Sequence, residues 1–150
     1  MGGLGRDAMR YFVLGVGLVG CSPSEVVVQE KLEPSHERLM NLGRAYLQYN
    51  SKYEKAPAGF AQLQPFLKEF GNPEEYLRSP TDGEPYVICW GVNLLAPPKW
   101  AKSTPILAYE KRGANGQRYV LTIMRSVLVM SDSEFRQASI PPGHQPPRGG

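Results

Sequence analysis

Histidine and cysteine are nearly missing from this chain, with two of each in 150 residues. His36 and His144 lie more than a hundred positions apart, and neither sits at a ligand-like spacing from Cys21 or Cys89. A zinc site needs three or four clustered imidazole, thiolate or carboxylate ligands, so none is expected. A Cys89–His36 nucleophile pair has no orienting signal beside it. There is no Gly-x-Ser-x-Gly elbow and no Gly-x-x-x-x-Gly-Lys phosphate loop. Glu74-Glu75 reads as a solvated surface pair. Catalytic, metal and cofactor chemistry are thus without candidates, and a non-enzymatic role is expected. Charge of one sign is also scarce. The formal net charge of +3 is too small to argue for a nucleic-acid partner. No long apolar run exists either. Tyr11–Gly20 (YFVLGVGLVG) is about ten residues, where a membrane-spanning helix needs ~20.

What is present is an ordinary globular composition, 41% hydrophobic and 21% charged. The short apolar run follows Arg6 and Arg10 and ends at small residues, the layout of a secretory signal. Its close, Leu18-Val19-Gly20-Cys21, resembles the lipobox of bacterial lipoprotein signal peptides. That resemblance implies removal of residues 1–20 by cleavage between Gly20 and Cys21. It also implies a diacylglyceryl thioether on the Cys21 sulfur and a membrane-held, extracytoplasmic protein. Ser22, rather than Asp, implies the outer membrane of a two-membrane bacterium. Each buried methylene contributes roughly 0.8 kcal/mol, so two or three acyl chains hold a domain firmly. Two other readings stay open: an ordinary cleaved signal with Cys21 unmodified, and an uncleaved anchor. Losing Arg6, Arg10 and Asp7 would lower the net charge from +3 to +2. With Cys21 lipidated, Cys89 has no disulfide partner and is expected to be a buried, passive thiol.

Residues 21–34 read as a lipidated start and tether. Residues 35–139 read as one domain, and the Pro/Gly-rich residues 140–150 (IPPGHQPPRGG) as a disordered tail. Within the domain, 35–53 is the main helix. Ser35 is a fair N-cap, Glu37 suits the first turn, and Leu39, Leu42, Tyr46, Tyr49 and Tyr53 recur at helical spacing. Pro65 predicts a short helix over 65–70, because proline fits a first turn. A second short piece is expected over 73–77. After the turn cluster Ser79–Pro85, strands are expected over 86–90, 105–111, 118–124 and 127–130. Asn115-Gly116 is a hairpin signal, and Ser131-Asp132-Ser133-Glu134 is a capping-box pattern opening a helix to Ala138. The expected fold is α+β, a long N-terminal helix packed on a three- to four-stranded antiparallel sheet.

Leu39–Pro57 (LMNLGRAYLQYNSKYEKAP), the turn Leu77–Tyr86 (LRSPTDGEPY) and the closing segment Arg118–Glu134 together resemble the globular part of type II secretion pseudopilins and related pilin-like proteins. The resemblance covers roughly 36–138. It implies a pilin-like helix-on-sheet domain and a neighbour in a secretion apparatus. The filament-forming helix and prepilin cleavage motif of that family have no counterpart here, since a lipobox stands in their place. Filament assembly is therefore not implied. Asp82, Glu84 and Asp132 are too few to predict a calcium site of the pseudopilin kind.

Two functional classes remain. One is a lipid-anchored structural or adaptor protein of the cell envelope. The other is an envelope binding module whose partner surface is the loop bracketed by Trp90 and Trp100, with a peptide, glycan or protein as ligand. The same two aromatics also suit pinning of the loop to the core.

Overall fold

The computed structural model describes residues 33–96 and 98–144. Residues 1–32, which include Gly20, Cys21 and most of the expected tether, lie outside the described residues, whereas Pro34, expected to close the tether, is the first residue of the opening helix. Among the described residues no helix is long and apolar enough to cross a membrane.

The chain opens with α1, Pro34–Tyr53. Proline at the first helical position loses no hydrogen bond there. Leu39, Leu42, Ala45, Tyr46 and Tyr49 form its buried stripe, and each large side chain buried contributes roughly 1.5–3 kcal/mol. Tyr53, expected on the same stripe, is instead 48% exposed at the helix end, where the Lys52 ammonium lies over its ring. Gly43 lets α1 approach the sheet closely. A Cβ built there would lie 3.2 Å from Leu121 Cδ1.

The second helix, α2, spans Phe60–Leu67 and buries Leu63 and Leu67. The expectation of a helix starting at Pro65 is corrected: Pro65 lies inside α2. Proline denies a hydrogen bond to the Ala61 carbonyl, but Ala61 and Pro65 are both exposed, so water can take that place. A 3-10 turn, Pro73–Tyr76, follows, with the Asn72 side chain accepting from Glu74 N.

Four strands then form one antiparallel sheet in chain order: β1 Val87–Ile88, β2 Ile106–Tyr109, β3 Gln117–Thr122 and β4 Val127–Ser131. The α+β class and the antiparallel sheet agree with the sequence, while β1 is shorter than expected. Ala114 and Gln117 exchange backbone hydrogen bonds around Asn115-Gly116. Both turn residues have positive φ, 55° and 74°, as a two-residue hairpin of the primed type requires. The helix α3, Asp132–Gln137, carries the full capping box between Ser131 and Glu134.

Strand β2 is buried along its whole length because both faces of the sheet are covered. On one face Leu107, Ala108 and Leu121 meet α1 and α2. On the other, Ile106, Tyr109 and Val120 meet Phe135 of α3 and Ile140. A register irregularity between Ile106 and Ala108 lets the adjacent Leu107 and Ala108 join the same core. The expected start of a disordered tail at 140 is also corrected. Ile140 is 7% exposed and belongs to the core, and Ile106 N donates to the Ser139 carbonyl.

The start of α1 is tied to the sheet by a buried carboxyl group. Glu110, fully buried just past β2, accepts from Ser35 Oγ at 2.5 Å and Ser79 Oγ at 2.7 Å. Its other oxygen accepts from Tyr119 N at 2.8 Å. Tyr86 Oη lies 2.8 Å from Ser35 Oγ. Burial, the main cause, pushes the Tyr86 hydroxyl up to about 12, against the Ser35 hydrogen bond.

Candidate functional site

The inner stripe of α1 does more than fill the core. Tyr46 and Asn50 are one helical turn apart, so their side chains leave the same face. Tyr46 Oη donates to the Cys89 carbonyl at 2.9 Å and accepts from Val92 N at 2.9 Å. Asn50 Oδ1 accepts from Leu94 N at 2.6 Å. Gly91 N donates to the Pro57 carbonyl. These bonds satisfy the backbone of the chain leaving β1, which would otherwise be an irregular segment with unpaired amides against the core. Burial is the chief reason the Tyr46 hydroxyl is pushed up to about 12, so it keeps its donor proton at any ordinary pH.

Trp90 is set by this pinned segment. Its ring stacks on Tyr46 at a centroid distance of 6.1 Å and an interplanar angle of 10°. Trp100, ten positions on, returns to the same place. Together they wall a cavity of about 250 Å³ with Val92, Ile123, Pro141 and Pro142. Trp100 is 44% exposed, while Trp90 is half-buried. The two aromatics singled out in the sequence are thus brought together, with divided duties. Trp90 is the pinned floor of the groove and Trp100 its open wall.

Pro141, Pro142 and His144 complete the groove, which sequence reasoning missed. Pro141 is buried, and the His144 imidazole meets the Trp90 carbonyl through Nε2 at 2.9 Å. Proline and glycine density reads as disorder when apolar content is low. The one available signal was Ile140, a lone aliphatic side chain before Pro141-Pro142. Asn93 and His144 are the polar side chains of the groove lining, and both are already engaged. Asn93 Oδ1 already accepts from Leu95 N.

Cys89 adds no chemistry here. It is fully buried, and burial pushes its thiol up to about 12. His36, the other half of the pair considered in the sequence, stands edge-on to Tyr119. Among the described residues no group of three or more His, Cys, Asp or Glu could hold a metal ion. No protein-family model matches this chain, and no curated protein or solved structure matches it.

Proposed function

We propose that this chain is a lipid-anchored envelope adaptor, held at Cys21, whose pilin-like α+β domain presents the Trp90–Trp100 groove to a segment of another envelope protein. The observation that carries the binding role is the pairing of a rigid aromatic floor with an exposed aromatic wall. Trp90 is fixed by Tyr46, so little side-chain entropy is lost when a ligand settles on it. Trp100 offers a large apolar surface that would gain from burial. A protein segment suits this groove better than a glycan. Sugars bring a hydroxyl group on almost every carbon, and each needs a partner once buried, whereas the walls here are chiefly proline, tryptophan and aliphatic side chains.

The address rests on Arg6, Arg10 and the Leu18–Cys21 segment, and the pilin-like assignment on the helix-then-meander order. Mass spectrometry of the mature amino terminus tests the first. A diacylglyceryl-modified Cys21 is expected, and an unmodified chain beginning at Met1 overturns it. Binding to detergent-solubilised envelope proteins tests the groove. Trp100→Ala is expected to abolish the interaction while leaving the fold intact, and undiminished binding overturns the groove as the contact surface.

A further inference from the structure

Among the described residues, strand β4 is an edge of the sheet, bonded to β3 alone. Its phase against β3 is fixed by the flanking bonds Thr122 N to the Ser126 carbonyl and Asp132 N to the Gly116 carbonyl. In the observed register the even-numbered residues Leu128 and Met130 therefore face β3 with their backbone groups. An antiparallel ladder alternates, so the N–H and C=O groups of Val127 and Val129 point outward. Natural edges are commonly blunted by charge, proline or a bulge. Val127–Ser131 (VLVMS) has no charged residue and no proline, and its pairing with β3 runs without a register shift. Leu128 and Val129 are 45% and 51% exposed.

We propose that β4 pairs antiparallel with β4 of a second copy, joining the two sheets across a two-fold axis. The outward groups dictate the register. Val127 of each copy faces Val129 of the other, which gives four backbone hydrogen bonds, and Leu128 faces its own symmetry mate. Charge selects the same orientation. The strand is preceded by the exposed Arg125 and followed by the acidic first turn of α3, Asp132 and Glu134. Antiparallel pairing brings Arg125 of each copy beside Ser131 of the other, next to those carboxylates. A parallel arrangement would set like charge against like. The contact is self-complementary and closes at two copies.

Sedimentation velocity of the full chain in detergent tests the pairing. A reversible dimer is expected, and Val129→Pro is expected to abolish it. That proline removes an outward N–H and no bond to β3, so the far-UV circular dichroism should not change. A second readout covers the case in which this variant folds poorly. In a Cys21→Ser background, Leu128→Cys should form an intermolecular disulfide on mild oxidation, because facing residues at a non-hydrogen-bonded position lie ~4.5 Å apart at Cα. Leu95→Cys, exposed but off the edge, should not. A monomer at every concentration, open-ended oligomers, a dimer that survives in folded Val129→Pro, or equal cross-linking at both cysteines would each overturn the proposal.

Discussion

Ser35 Oγ donates to Glu110 Oε2 at 2.5 Å across 75 positions of sequence. This contact ties the first turn of α1 to the end of β2, and Ser79 brings the turn before β1 to the same oxygen. All three side chains are buried, so each depends on the others for its hydrogen bonds. Removing the acceptor strands several donors at once. Glu110→Ala is therefore expected to destabilise the fold, by about 1–3 kcal/mol for each buried donor left without a partner. Glu110→Gln keeps the shape and one acceptor oxygen and should cost only ~1–2 kcal/mol. Urea denaturation of the two variants beside the parent checks the order, and an alanine variant as stable as the parent refutes it.

Asp82 performs a similar task at the surface. Its Oδ1 accepts from Glu84 N, and its Oδ2 accepts from Arg112 N at 2.9 Å and Gly113 N at 2.8 Å. The turn Ser79–Pro85 is thereby clamped to the β2–β3 connection. Partial burial pushes the carboxyl up, but the backbone donors together outweigh it and hold the group below its ordinary 3.8. A carboxylate with a depressed folded-state value stabilises the fold above its unfolded value and loses that contribution as pH falls through the folded value. The parent should thus lose stability on acidification below about pH 4 more steeply than Asp82→Asn. Thermal melts of both proteins from neutral to acid pH provide the measurement. Parallel curves would show that the clamp depends on geometry and not on charge.

These polar ties mark the boundary of what the residues alone make legible. Periodicity revealed α1, Asn115-Gly116 revealed the central hairpin, and Ser131 with Glu134 revealed α3. Each of those signals is local. Glu110 carries no such mark. It follows an apolar strand like any solvated strand-end residue, and only the approach of Ser35 and Ser79 makes it internal. The groove was half legible for the same reason. Trp90 and Trp100 stand out as aromatics in a loop. Pro141, Pro142 and His144 join them through long-range packing that begins at Ile140. Pro65 shows the converse, since a local rule placed it at a helix start while α2 tolerates it inside at an exposed position.

Capping is the simplest local signal to test. Ser131 Oγ accepts from Glu134 N at 3.1 Å, and Glu134 Oε1 accepts from Ser131 N at 2.8 Å. Phe135, which this cap sets in place, packs on Tyr109 at a centroid distance of 4.7 Å, with the Arg118 guanidinium over its ring at 4.2 Å. Ser131→Ala is expected to cost ~1 kcal/mol. Phe135→Ala, which empties part of the second core, should cost ~3–5 kcal/mol. Denaturant midpoints of the two variants separate the terms. A cap variant as damaging as the core variant would mean that α3 forms only when capped.

Tyr46 connects the core to the proposed binding surface, so its hydroxyl separates support from contact. Tyr46→Phe keeps the ring stacked under Trp90 but removes the donor to the Cys89 carbonyl and the acceptor for Val92 N. One buried and one partly buried backbone group lose their partner, at up to ~1–3 kcal/mol each. Stability should fall and the groove floor should loosen. Binding should weaken partially, because Trp90 and Trp100 are both still present. Trp100→Ala should do the opposite, with stability changed by less than ~1 kcal/mol at this exposed site and binding lost. Tryptophan fluorescence during ligand titration, paired with a denaturation curve for each variant, reads both quantities on the same samples. If Tyr46→Phe bound normally despite reduced stability, the pinned floor would be irrelevant to recognition, and Trp100 alone would carry the contact.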